Sequence, residues 1–203
     1  MNDFTCIIAS HISTIARLKA LKEAIDSALP YFPVILSMSY DDKLETPTSK
    51  LLSHYPSVTK IITERKSQFQ HINDAFPYLS SEYVIFLDDD DKFLPNITID
   101  VPILLKRYGQ HEGVQMTYEN GEKTGWIDTD FSGTFCKTVM LGIFITDTDD
   151  LSVYDLDCEF REFITKNGRG KPNYHDDFGI DDDVTPYVYK REDDDVIKDW
   201  GVI

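Results

Sequence analysis

Tyr83-Val84-Ile85-Phe86-Leu87-Asp88-Asp89-Asp90-Asp91-Lys92-Phe93-Leu94-Pro95 is the stretch from which the fold can be read. Five apolar residues run straight into four aspartates. An apolar run without alternation predicts a strand buried on both faces, as in a parallel sheet. The aspartates cannot follow it inward, because an unpaired ionised group is costly to desolvate. The strand must therefore surface at its carboxyl end and present them there. In an open α/β sheet that edge is where ligands bind. Adjacent carboxylates repel one another, and a divalent cation relieves the repulsion. Hard oxygen donors suit Mg²⁺, Mn²⁺ or Ca²⁺. A solvated acidic turn is the plain alternative, and the strand in front of the aspartates favours the ligand site.

The residues before this stretch repeat the theme. Phe4 to Ser10 reads as a short apolar strand, and Ser13 or Thr14 can cap the helix that follows. Ile15, Leu18, Leu21, Ile25 and Ala28 recur at helical spacing, with Pro30 and Pro33 as a stop. Val34 to Tyr40 predicts a second strand that also runs into carboxylates, Asp41 and Asp42. A short helix is expected between Pro47 and Tyr55, a third strand over Val58 to Thr63, and a helix marked by Phe69, Ile72, Asn73 and Phe76. The order β-α-β-α-β-α-β with short connections implies a parallel sheet, right-handed crossovers and helices on both faces.

After Pro95 the pattern changes. Pro102 to Tyr108 predicts a short helix. Asn120-Gly121 between Val114–Tyr118 and Lys123–Ile127 predicts a hairpin. Gly133 to Lys137 reads as a strand, and Val139 to Ile145 fits strand or helix. Cys158, Phe160 and Ile164 mark an amphipathic helix closed by Asn167-Gly168, and Tyr187 to Lys190 a last strand. No linker divides the chain, so we expect one domain over 1–203. Within it, 1–95 forms one half, and 96–203 the other with an acidic tail.

Composition narrows the function classes. A chain of 203 residues with a formal net charge of −16 lacks the basic face of an extended nucleic-acid footprint. The same charge disfavours an anionic membrane surface, yet allows an anionic ligand whose contact a metal mediates. Cys6, Cys136 and Cys158 are widely spaced and suggest neither a disulfide framework nor a zinc site. With no signal-like N-terminus and no apolar run near the ~20 residues of a membrane span, a cytoplasmic protein without membrane insertion is expected.

Phe86-Leu87-Asp88-Asp89-Asp90-Asp91 with Phe93-Leu94-Pro95, taken with Cys6-Ile7-Ile8-Ala9-Ser10 and Ser39-Tyr40-Asp41-Asp42, resembles a GT-A glycosyltransferase of the family 2 type. That resemblance implies a Rossmann-like fold, α/β, with a mostly parallel central sheet and a smaller antiparallel second half. The first half would bind the nucleotide-sugar and the second the acceptor. It implies a metal-dependent hexosyltransferase that moves a sugar from a nucleotide-diphosphate sugar, a UDP-sugar by expectation, to an acceptor hydroxyl with inversion. Small stand-alone proteins of this type are associated with microbes and their viruses. The Asp-x-Asp motif would be Asp88 and Asp90, holding Mn²⁺ or Mg²⁺, with Asp88 also near the ribose. Asp89 and Asp91 leave the register open by one position. Asp41 would accept from the uracil ring, and Ala9, Ser10 and His11 would lie against the base. Arg65 and Lys66, a rare basic pair in an acidic chain, would meet the diphosphate; a solvated turn is the alternative.

In the second half, Tyr154-Asp155-Leu156-Asp157-Cys158-Glu159-Phe160 resembles the family's E-D-x-D-[LF] segment, with Tyr154 standing where the family has Glu. The resemblance makes Asp155 the general base that deprotonates the acceptor hydroxyl. Asp147, Asp149, Asp150 and Asp157 compete for that role. His175 is a possible further metal ligand, Gly168-Arg169-Gly170-Lys171 a possible diphosphate loop, and Trp126 and Trp200 possible sugar platforms. Two other classes stay open. A nucleotidyltransferase would usually carry a glycine-rich loop after the first strand, and Ala9 to Ile15 has no glycine. A non-catalytic acidic protein binding Ca²⁺ or a partner would be expected to show an EF-hand spacing, which is absent.

Overall fold

The computed structural model describes residues 3–109, 115–117, 123–126, 131–153, 156–167 and 187–189. The first half alternates as the apolar pattern demands. It runs β1 (Phe4–Ile12), α1 (Ile15–Ala28), β2 (Val34–Tyr40), α2 (Glu45–Leu52), β3 (Thr59–Ile62), α3 (Gln68–Ala75) and β4 (Tyr83–Asp88). Then follow β5 (Lys92–Phe93), α4 (Ile97–Tyr108), β6 (Gln115–Thr117), β7 (Lys123–Trp126), β8 (Phe135–Lys137), α5 (Thr138–Asp147), α6 (Leu156–Asn167) and β9 (Val188–Tyr189).

The central sheet has the order β3-β2-β1-β4-β8. Its first three pairings are parallel and only β8 runs antiparallel, against β4. A small second sheet, β5-β9-β6-β7, is mostly antiparallel. Strand alternation divides the core in two. Cys6, Ile8, Leu36, Met38, Ile85 and Leu87 face α1 and pack on Leu18, Leu21 and Ile25. Ile7, Ala9, Ile35, Val84 and Phe86 face the other way, onto Phe69, Ile72 and Phe160. The burial of both strand faces is what the unbroken apolar runs required.

Two elements differ from the sequence reading, and a third takes one of the two forms that reading left open. Helix α4 begins at Ile97, ahead of Pro102. Ile97, Val101 and Leu104 form a buried i, i+4, i+7 stripe that holds the early turns, and the carbonyl that Pro102 leaves without an N–H belongs to exposed Thr98. Val139 to Ile145 resolves as helix, within α5. The two-residue strand β5, inside the trailing Lys92-Phe93-Leu94-Pro95, has no periodicity of its own. It exists because β9 pairs with it. The Asn120-Gly121 turn and the acidic tail lie outside the described residues.

Helix α3 is anchored at its N-terminus. Ser67 caps it with a capping box: Ser67 Oγ accepts from Gln70 N at 3.2 Å, and Gln70 Oε1 accepts from Ser67 N at 2.9 Å. The same hydroxyl donates to Leu151 O at 2.6 Å, tying α3 to the loop after α5. Ser67→Ala removes the cap and the tie together, and a loss of about 1–2 kcal/mol in urea unfolding is expected.

Candidate functional site

The chain adds β2 and then β3 on one side of β1, then returns to place β4 on the other side. That reversal opens a crevice at the carboxyl edge between β1 and β4. Asp88, the last residue of β4, stands opposite Ala9. Asp41, just past β2, donates its N–H to Ile12 O at 2.9 Å. At ~3.3 Å per residue and ~4.8 Å per strand, these two carboxylates are separated by roughly 13 Å along the strands and two strand spacings across them. They mark the two ends of an elongated site.

The end of β4 and the turn that follows it sort the aspartates. Asp88 falls on the α3 side, where Gln68 Nε2 donates to its Oδ1 at 2.7 Å. Its backbone N–H donates to Ser132 Oγ at 2.9 Å. Ser132 is placed by a turn in which Gly133, at φ 81°, gives its N–H to Phe86 O at 2.7 Å. Asp89 falls on the α1 side and is 0% exposed. Arg17 grips it with both arms, Nε to Oδ2 at 2.9 Å and Nη2 to Oδ1 at 2.6 Å, and the Ser10 hydroxyl donates to the same carboxylate. Burial works against the Arg17 charge, but Asp89, with Asp90 and Asp88 behind it, holds that guanidinium above its ordinary pKa. Asp89 and the Ser10 side chain are thus each engaged with an interior partner. Asp91 is also buried, its N–H turned back to Asp88 O at 3.3 Å.

Asp90 is the strained member. Burial, then the neighbouring charges of Asp89 and Asp88, push its carboxyl up to about 7. A cation placed there reverses that preference. Among the described residues no three His, Cys, Asp or Glu are gathered into a ready metal cage. Mg²⁺-like ions commonly use one or two carboxylates and take their remaining ligands from substrate phosphates and water. The pair Asp88 and Asp90 fits an ion that arrives with a diphosphate.

At the other end, Asp41 is 36% exposed and touches Lys43 Nζ at 3.2 Å from the solvent side. From the interior, His11 Nε2 lies 3.4 Å from its Oδ1. His11 is buried, and its Nδ1 meets Ser39 Oγ at 2.9 Å. Ser39 and Ser37 in turn contact the two ring nitrogens of His71 on α3, at 3.3 and 3.2 Å. Burial pushes His71 down to about 4, against the pull of Asp74. Ala9 is buried in the core, leaving only its backbone for a ligand.

The remaining expected residues divide. Arg65 is exposed beyond β3, whereas Lys66 is engaged with Asp74 at 2.8 Å. Asp155, Tyr154, His175, Arg169, Lys171 and Trp200 lie outside the described residues. Asp147 and Asp149 are exposed, and Asp157 sits in the first turn of α6. Two hydrogen bonds from Ser152 hold the Asp150 carboxyl below its ordinary pKa, which makes it a weaker base.

Arg17, Gln68, Ser132 and His71 escaped the sequence reading. Arg17 had a legible signal: it lies four residues before Leu21 on the apolar face of α1, where a charge needs a buried partner. His71 sits four residues before Ala75 in the same way. Ser132 is brought to Asp88 only by the turn after β7.

No protein-family model matches the sequence, and no curated protein matches it. Solved structures do resemble it. S. aureus TarS 1-349 superposes with a TM-score of 0.63 at 14% identity, over 94% of this chain and 60% of that one. The mannosyltransferase PcManGT from Pyrobaculum calidifontis gives 0.55 at 15% identity, over 84% and 55%. The 4-diphosphocytidyl-2C-methyl-D-erythritol synthase of Anaerococcus prevotii gives 0.51 at 14%, over 80% and 82%. The fold is thus the mixed α/β fold of the GT-A glycosyltransferases, with a mostly parallel central sheet and a small second sheet. The chain spans about 60% of the TarS 1-349 length. No helix among the described residues is long and apolar enough to cross a membrane.

Proposed function

We propose that this chain is a metal-dependent glycosyltransferase that takes a sugar from a nucleotide-diphosphate donor, a UDP-sugar, and passes it to an acceptor hydroxyl with inversion. The observation that carries the reading is the pairing of two carboxylate ends on one crevice, Asp41 after β2 and Asp88 with Asp90 after β4, at the switch point of the sheet. The fold neighbours support the donor class: TarS 1-349 has been crystallised with UDP-GlcNAc and PcManGT with GDP-Man and Mn²⁺.

On this reading Asp41 accepts the imide N–H of uracil while the backbone of Ala9 and His11 lines the base. Asp88 and Asp90 hold a divalent cation, which supplies charge neutralisation for the pyrophosphate leaving group. Gln68 Nε2 donates to one oxygen of Asp88 and steadies that carboxylate. Exposed Arg65 adds positive charge near the phosphates. Asp155 serves as the base on the acceptor side, since a displacement with inversion needs one opposite the leaving group.

A nucleotidyltransferase is the other enzyme class that the sequence left open. The turn between β1 and α1 favours the first reading, because it holds Ser13 and the cap Thr14 and no glycine that would let a triphosphate approach the backbone. Titration calorimetry tests the choice. Micromolar binding of UDP that requires Mn²⁺ is expected. Binding of CTP at least about tenfold tighter than UDP, a difference of ~1.4 kcal/mol, would overturn the assignment, as would no nucleotide binding at all.

A further inference from the structure

We propose that His71 is a positioning residue for the nucleobase: through Ser39 and His11 it holds the Asp41 carboxylate as an acceptor aimed at an imide N–H. The inference rests on the nucleotide-binding reading of the crevice. Three side-chain contacts join Asp41 to His71, and a fourth joins His71 to Ser37. His11 Nε2 lies 3.4 Å from Asp41 Oδ1, a close approach without hydrogen-bond geometry. His11 Nδ1 meets the Ser39 hydroxyl at 2.9 Å. Ser39 Oγ in turn lies 3.3 Å from His71 Nε2, and Ser37 Oγ lies 3.2 Å from His71 Nδ1.

Packing alone gives no reason for this chain. On the same face β2 offers Ile35 to the core, then changes to Ser37 and Ser39 as it nears the ligand edge. A buried polar network of this kind restricts the arrangements open to its members. From the solvent side Asp41 touches Lys43, which is 70% exposed, and a pair of that kind positions little. The inward chain therefore sets where the acceptor points. Uracil presents N–H at the position where cytosine presents a bare nitrogen, so a fixed carboxylate distinguishes the two.

The test is calorimetry of UDP and CDP with Mn²⁺ on the full chain and its variants. The unaltered chain is expected to prefer UDP. His71→Leu should weaken UDP and shrink the UDP/CDP ratio by about tenfold, the worth of one well-aligned hydrogen bond. His71→Gln should keep the ratio, because its amide can donate to Ser39 and accept from Ser37. Ser39→Ala removes a single hydroxyl and should match His71→Leu, with no further loss when the two are combined. If His71→Leu does not fold, Ser39→Ala carries the same test. An unchanged UDP/CDP ratio in either variant overturns the role of His71 whatever happens to the melting temperature. A chain that binds UDP and CDP equally also overturns it. Failure of the unaltered chain to bind any nucleotide overturns the nucleotide-binding reading first, and this role with it.

Discussion

Asp90→Asn is expected to raise the melting temperature of the metal-free chain at pH 8 and to abolish Mn²⁺-dependent UDP binding. The two effects have one cause. Burial and the charges of Asp89 and Asp88 lift the Asp90 carboxyl from 3.8 to about 7. Between those values the folded chain holds a proton that the unfolded chain has released. Stability therefore falls as pH rises through that window. The penalty is absent below the ordinary carboxylate value and complete above about 7. Asparagine keeps the shape and removes the charge, so the folded chain gains at pH 8 and is little changed at pH 4. The same charge is the one a cation needs. Losing it should cost on the order of 100-fold or more in metal-supported binding, beyond what loss of an outer-shell partner usually costs. In the unaltered chain, Mn²⁺ affinity should rise with pH through about 7, as Asp90 gives up its proton. Scanning calorimetry at pH 4 and pH 8, and UDP titrations across that range, check both halves. A variant that melts lower at pH 8, or still binds UDP with Mn²⁺, would contradict the assignment.

Arg17→Met should be the most damaging substitution to the fold. Arg17 and Asp89 are each 1% exposed in their side chains and meet at 2.6 Å. Removing the guanidinium leaves Asp89 charged, buried and short of its partner, which costs about 3–5 kcal/mol. Domains of this kind are typically stable by only about 5–15 kcal/mol. Adding Asp89→Leu to Arg17→Met should recover most of the loss, since an apolar pair of similar size is often as stable as a buried ion pair. Urea unfolding of the two variants measures the difference. A loss below about 1 kcal/mol for Arg17→Met would assign the pair a surface-like weight and refute its structural role.

These outcomes show why one acidic run serves two ends. Asp88 and Asp90 carry the charge that a ligand would use, while Asp89 fastens the strand end to α1. Their roles divide where β4 ends at Asp88 and the chain turns, the Asp91 N–H closing back on Asp88 O. The cost at Asp90 is the sort of local conflict that functional sites retain.

Much of this was legible in the residues themselves. The unbroken apolar runs of β1, β2 and β4 require a sheet buried on both faces, and that requirement depends only on local sequence. The same runs ending in Asp41 and Asp88 place charge at the carboxyl edge, because desolvation forbids it elsewhere. The helix at Val139 to Ile145, the early start of α4 and the strand β5 were not legible. Each is decided by what packs or pairs against it, and short apolar segments have no period strong enough to choose alone. The site divides in the same way. Which carboxylates exist, and at which edge, follows from the order of apolar and acidic residues along the chain. Which of them face outward was decided by tertiary partners: Arg17 comes from 72 positions away to claim Asp89, and Gln68 from 20 positions away to hold Asp88. A carboxylate's role depends on the charge and dielectric around it, and only folding brings those neighbours together.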